Sequence, residues 1–421
     1  MITWIEKPYS TTLRGQKLLF KATSDENTND GFIWFVQVTN TATSKVTSFW
    51  MNESPNYAGL LFDLRPLVDM WNREDSLTMH KTPLTSVFEE PNGSGYVDYS
   101  IEISEYWLIN GVLTIGDTEN GDVALINGYY QPTDGYRPNV NNTIQPYGLG
   151  LDGSSSRFWS DRFTDTHIPN QWYSSAKPSI WIPAQLSDYG LMSFPFKTSL
   201  NGNLLSIRIQ LTKADGTDIM DTITPSQSAN TGHFGCFPAN LSDSTSICKP
   251  SSFPDYRYYA IWGVNYSNNQ KSFYYVFYNA DYYGQFDCRY DRIRLGWVNS
   301  RGGWDYFNFI KKNEVTNQIE RKQYKQLLVN DSGTFDKWQR QLTDRKPIVS
   351  RTINAISDWI QEGEYVFLRS LMLSTQVHMI ATDGTFIPVS IADNQFVEKK
   401  ERNGKLYNVS INIKYSQDYW V

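Results

Sequence analysis

Reactive side chains in this chain are scattered rather than gathered. Cleavage of a glycosidic bond needs two carboxyl groups flanking a sugar, and their separation decides the stereochemical outcome. Among 44 acidic residues, Glu102 with Glu105, Asp281 with Asp287, and Asp291 with Asp305 are pairs that could face each other across a cleft lined by Tyr and Trp. A chain this rich in acids yields such pairs from composition alone, and sequence spacing does not set distance in space. His233, Cys236 and Cys248 form a fragment with metal-ligand character. Paired C-x-x-C ligands are missing, so reduced thiols beside a polar loop residue are expected instead. The other histidines, His80, His167 and His378, never place two imidazoles on one helix face. Asp117, Glu119, Asn120 and Asp122 surround Gly121 in a superficial likeness to a calcium loop. The glycine is out of place and no bidentate acid follows at the required offset, so a solvated hairpin tip is expected. No G-x-S-x-G elbow, phosphate loop, dinucleotide fingerprint or catalytic-cysteine context occurs. The expectation is a protein without catalytic residues, metal or cofactor.

Composition narrows the partners. The 421 residues exceed one ordinary core and imply several domains. The balance of 38 basic and 44 acidic residues lacks a basic stripe, which argues against binding nucleic-acid phosphates. No apolar run approaches the length of a membrane span, so no membrane partner is expected. Three cysteines do not make a disulfide scaffold. The first residues, Met-Ile-Thr-Trp-Ile-Glu-Lys-Pro, lack the basic and apolar regions of a secretion signal. Synthesis and folding in a cytoplasm are therefore expected.

Aromatic residues stand out: 27 Tyr, 22 Phe and 14 Trp in a chain with only 19% charged residues. Tyr and Trp combine apolar area with a polar tip and suit sheets and wet interfaces. The chain therefore reads as mainly β and multidomain, with immunoglobulin-like β-sandwich domains and a C-terminal α+β module. Residues 1–75 read as an N-terminal β-domain, in which Trp34, Val36 and Val38 alternate along a strand and Asp63 caps a short helix holding Leu64, Leu67 and Val68. Residues 76–195 read as an irregular β-rich domain, with strands at 96–103, 106–115 and 123–130 and a long polar loop over 131–170. Residues 196–310 read as a sandwich, with Leu205, Ile207, Ile209 and Leu211 on one face, a second long loop over 222–256, and an aromatic hairpin over 291–310. The turn of that hairpin, Asn299-Ser300-Arg301-Gly302-Gly303, is built from residues that accept positive φ. Residues 311–421 form the α+β module: helical spacing at Val315, Ile319 and Tyr324, at Ile353, Ile356 and Trp359, and at Leu368, Leu371 and Met372. Strands follow at 387–391, where Pro388 implies an edge or a strand start, and at 407–415.

An isolated sandwich has too little interior for so many rings, so part of the aromatic surface is expected to meet other chains. Tyr258, Tyr275, Trp297, Trp304, Tyr306 and Phe309 are the expected contact residues.

Three stretches resemble structural proteins of bacteriophage tails and baseplates, especially those of Bacteroidetes-like hosts. They are Gly59–Arg65, Leu295–Phe309, and the ending from Leu368 through Ile391 to Tyr415. In such proteins a hairpin of this kind is followed by a polar helix, and a similar ending docks onto other tail components. The resemblance implies a virion structural protein of a tail, baseplate or collar. It would be a homo-oligomer whose partners are its own copies and other tail, collar or baseplate proteins. A receptor-binding or glycan-degrading tail protein is the alternative, and it keeps a host-surface glycan open as a ligand.

Overall fold

The computed structural model describes residues 1–8, 11–15, 18–41, 43–54, 57–70, 81, 96–126, 128, 160, 162, 182–195, 206–213, 218–223, 231–242, 256–264, 275–282, 290–300, 302–325, 342–360, 362–393, 406–416 and 419–420. The chain is mainly β, with several sheets. It divides into two compact units, one of Met1–Asn279 with Val298–Asp305 and one of Ala280–Trp297 with Tyr306–Val421.

Period-2 alternation builds the beginning of the first unit. In the strand Ile33–Asn40, Trp34, Val36, Val38 and Asn40 are buried while their neighbours stay half-covered. This strand lies between Lys45–Met51 and Tyr96–Ile109, in a sheet of order Thr11–Leu13, Val112–Ile126, Tyr96–Ile109, Ile33–Asn40, Lys45–Met51. A second sheet, Ile2–Glu6, Leu19–Ser24 and Leu60–Asp63, contributes Ile2, Phe20, Ala22, Leu60 and Phe62 to the same core. Full burial of each large apolar side chain in that core stabilises the fold by roughly 1.5–3 kcal/mol. After Leu60–Asp63 the short helix Arg65–Met70 begins. Asp63 accepts the Arg65 backbone N–H at 3.1 Å, and Leu64 and Val68 are buried. Strand Ile33–Asn40 pairs with Tyr96–Ile109 over eight positions, so the boundary expected at residue 75 falls inside one sheet.

Tyr96–Ile109 and Val112–Ile126 are the two arms of one long hairpin. Its turn is Asn110-Gly111, both with positive φ (52° and 78°), as a two-residue type I′ turn requires. The separate strands expected at 106–115 and 123–130 are corrected accordingly, because the first of these spans the turn.

Farther along, a sheet of order Asp218–Ile223, Ser206–Lys213, Tyr256–Val264, Tyr275–Asn279, Ile182–Ala184 carries Ile207, Ile209 and Leu211 on a buried face. Leu191–Pro195 pairs with Thr231–Gly235, and the short helix Pro238–Leu241 follows. The loop expected over 222–256 thus contains a strand and a helix, and the boundary at 195 also cuts between paired strands. The loop expected over 131–170 lies outside the described residues except for Ser160 and Arg162.

Strands Trp304–Phe309, Ile293–Val298, Val377–Ile380, Phe386–Ile391, Ser410–Tyr415, Ile348–Ile356 and Glu314–Glu320 lie side by side in one sheet, nearly all of it in the second unit, and Tyr419–Trp420 also pairs with Ile348–Ile356. The helix Glu362–Leu373 lays Tyr365, Phe367, Leu368 and Leu371 into the core of that sheet. Two expected helices are strands. Glu314–Glu320 and Ile348–Ile356 pair antiparallel along seven positions, and among the described residues the aromatic hairpin is followed by a strand and not by a polar helix. Pro388 sits in an interior strand rather than at an edge. Its carbonyl accepts Ser416 N–H at 3.1 Å, and within a strand N and C=O of one residue point the same way. The missing donor therefore falls where the neighbouring strand has run out. Because Ile293–Val298 pairs with Val377–Ile380, the hairpin's strands belong to this sheet and not to a domain ending at residue 310.

Candidate functional site

All six residues expected to form contacts with other chains are buried: Tyr258, Tyr275, Trp297, Trp304, Tyr306 and Phe309. Trp297 is fully enclosed. Its indole N–H donates to Ser370 Oγ at 3.0 Å, and its ring centroid is 5.2 Å from that of Phe367. The Arg294 guanidinium lies 5.0 Å from the Tyr306 ring centroid, and Phe309 meets Phe307 edge-on at 5.0 Å. Tyr258 stands opposite Tyr278, and Tyr275 opposite Ile261. In Tyr275–Asn279, Ile293–Val298 and Trp304–Phe309 every residue is buried, so the side chains of these strands are covered on both faces.

The acid pairs do not assemble a reactive centre. Glu105 is buried, and its carboxylate accepts the Ser24 hydroxyl and the Asp117 backbone N–H, the latter at 3.1 Å. Glu102 is half-buried and faces the other side of the strand. Asp305 is buried and accepts from Ser160 Oγ and from Asn299 Nδ2, the latter at 2.9 Å. Asn299 Oδ1 in turn accepts Gly303 N–H at 3.1 Å, so this polar set ties the turn of the aromatic hairpin together. Asp281 and Asp291 are exposed, and Asp287 lies outside the described residues. Cys236 is buried with Sγ 3.9 Å from the Gly190 carbonyl. His80, His167, Cys248 and Cys288 lie outside the described residues. Buried His378 meets Phe386 edge-on at 6.0 Å. Asp117, Glu119, Asn120 and Asp122 lie along a strand and not at a hairpin tip. Among the described residues, no three or more of His, Cys, Asp and Glu are grouped so as to hold a metal ion.

Of the large apolar side chains left uncovered, which include Trp50, Tyr282, Tyr290, Tyr324 and Trp359, five aliphatic ones lie together. Leu108, Ile109, Val112, Leu113 and Ile115, at the end of the long hairpin, are between 40% and 66% exposed. Cross-strand pairing sets Leu108 beside Leu113 and Ile109 beside Val112. Alternation cannot hide both pairs, since successive side chains point to opposite faces. Tyr106, paired with Ile115, shares a face with Leu108 and closes an aromatic cluster with Phe35 and Trp50. The Trp50–Tyr106 and Phe35–Trp50 centroid distances are 4.9 and 4.8 Å. An apolar strip thus runs from Trp50, itself 49% exposed, to the hairpin tip. The sequence signal for this tip was Asn110-Gly111 between apolar residues.

The same outer face turns polar farther along, with Gln37, Glu102, Asn120, Ser100 and Asp122 in successive cross-strand rows. Ser100 Oγ donates to Asp122 at 2.9 Å. Burial first, and then the charge of Asp122, pushes the Asp98 carboxyl above its ordinary value although solvent still reaches it. A raised carboxyl value means that ionisation subtracts from stability as pH rises through it. Asp98→Asn should therefore give a small gain in urea midpoint at pH 7 and none at pH 3, where both forms are neutral.

Among the described residues, no helix is long and apolar enough to cross a membrane. No family model matches this chain, and no curated protein matches it either.

Proposed function

We propose that this protein is a structural building block of a virion, in a phage tail, baseplate or collar. It would assemble with its own copies and with neighbouring tail proteins, and carry load rather than perform chemistry. The observation that carries the reading is the aliphatic tip Leu108–Ile115, a cluster of large side chains left in water at the end of a rigid hairpin. Contiguous exposed apolar surface of this kind marks a protein contact. The buried aromatic strands supply stiffness, and the projecting tip supplies the joint. Strand order also supports reading residues 1–126 as an immunoglobulin-like sandwich. Ile2–Glu6 joins one sheet, whereas Thr11–Leu13 crosses to the other and pairs parallel with Val112–Ile126. The helix Glu362–Leu373 against its sheet supports an α+β docking module at the C-terminal end.

Electron microscopy and light scattering on the purified chain test the reading. Wild-type protein should form regular closed assemblies, since repeated head-to-tail contacts close into rings. The double substitution V112S/L113S touches only exposed side chains. It should leave the urea midpoint within about 0.5 kcal/mol while abolishing those assemblies. Persistent assembly by this variant would remove the tip from the reading. In particles purified from producing cells, labelled antibody should mark the tail; unlabelled particles would refute virion residence.

A further inference from the structure

In the sheet that holds Trp34, the outermost strand on one side is Lys45–Met51, and among the described residues none pairs with its free edge. We propose that this edge pairs with the same edge of a second copy, antiparallel about a two-fold axis through Ser48, merging the two sheets into one. The proposal rests on the self-association in the reading above and adds to the hairpin tip a second, two-fold contact.

A strand edge presents a row of unsatisfied backbone donors and acceptors, and proteins ordinarily blunt it with proline, bulges or charges. Lys45–Met51 has none of these in its middle: the sequence is Lys-Val-Thr-Ser-Phe-Trp-Met, and its single charge is at one end. Directly opposite residues in an antiparallel pair share a face, so a sheet with one continuous core side needs residues of like parity opposed. The register centred on Ser48 meets that condition and uses all seven residues. It sets Val46 opposite Trp50 on the outer face, Thr47 opposite Phe49 on the core side, Lys45 opposite Met51, and Ser48 opposite itself. No like charges meet. Val46 and Trp50 are both about half exposed in the single chain, and an aromatic residue against a β-branched one is a favourable cross-strand pair. The strip from Trp50 through Phe35 and Tyr106 would then run across the joint from both copies.

Another edge of the molecule shows the opposite design. Glu314–Glu320 is also outermost in its sheet, and each of its residues is exposed. Pairing it with itself about its centre would set Glu314 against Glu320 twice, and like charges directly opposite are destabilising. Two edges of comparable length in one chain therefore differ in whether their sequence permits a copy to add. A seven-residue strand contact is small beside the roughly 1,600 Å² of an ordinary stable interface, which places this dimer in the reversible class.

The test uses charge exchange in the full chain, read by sedimentation equilibrium and circular dichroism. In V46K/W50K the two opposed pairs become Lys against Lys, and the dimer dissociation constant should rise at least ~10-fold. In V46E/W50K the same positions are replaced, but each Glu faces a Lys, and association should return to near the wild-type value. A lost fold would affect both variants alike. As a second readout, S48C under mild oxidation should yield a dimer whose linkage maps to position 48, whereas S410C, on an exposed strand residue elsewhere, should not. Oligomers that ignore the charge exchange and give no linkage at position 48 would overturn this edge while leaving self-association standing. A strictly monomeric chain would overturn both.

Discussion

Trp297→Ala should destabilise the second unit by ~3–5 kcal/mol, the ordinary range for emptying a buried indole site. The ring is wholly enclosed within one core cluster, against Phe367 of the helix, so removing it leaves a void with little freedom to collapse. A polar component adds to the loss. Ser370 Oγ accepts the indole N–H at 3.0 Å and donates to the Phe367 carbonyl at 2.9 Å, so the hydroxyl joins helix and sheet. Ser370→Ala keeps the packing and strands the N–H, and should cost about 1–3 kcal/mol. Trp297→Phe removes donor and part of the volume together and should fall below the alanine variant in cost. Urea titration followed by near-UV dichroism orders the three. Equal midpoints for Trp297→Ala and wild type would show that the site is not the tight core described.

Gly59→Ala is expected to rank next, costing at least ~2 kcal/mol. Gly59 has φ of 157°, and a Cβ there would lie 2.3 Å from the Ala22 carbonyl oxygen. That oxygen belongs to the Leu19–Ser24 strand, whose Ala22 is in register with Leu60, so it cannot retreat without disturbing the ladder. Gly111 provides the comparison. Its φ is 78°, but nothing lies within 4 Å of an added Cβ, so Gly111→Ala meets only conformational strain of ~1 kcal/mol. A clear gap between the two midpoints separates overlap from strain. Coincident midpoints would mean that the loop before Leu60 shifts freely.

Much of the strand pattern could be read from sequence. Trp34, Val36 and Val38, then Ile207, Ile209 and Leu211, then Ile411, Ile413 and Tyr415 recur at every second position and lie on buried faces. The aromatic hairpin and the helix with Leu368 and Leu371 were equally legible. Val315 with Ile319 misled because a spacing of four satisfies both periods: it is one helical turn and also two steps along one face of a strand. Ile353 and Ile356 fit helical spacing too, yet only Ile353 is buried, and their strand is held by ladders on both sides.

The two-sided burial of the aromatic strands has its own mark in the sequence. Alternation marks a strand covered on one side, whereas Tyr-Val-Phe-Tyr at 275–278 is an unbroken run, the mark of coverage on two. Reading that run as one core face plus one free face sent the aromatics outward. An exposed aliphatic cluster instead flanks Asn110-Gly111, whose turn chemistry divides the strand expected over 106–115.

The N-terminal segment has one further consequence. Ile2–Glu6 pairs antiparallel with Leu19–Ser24, while Thr11–Leu13, a few residues later, pairs parallel with Ala124–Ile126, and Gly15 N–H reaches the Gly128 carbonyl at 2.8 Å. Tension pulling the N-terminal strand one way and the chain beyond Ile126 the other would slide parallel strands lengthwise past each other. Their slanted, evenly spaced bonds would then have to break together rather than unzip one at a time. Under such a pull the segment would act as a clasp, resisting stretch along the direction in which it is threaded.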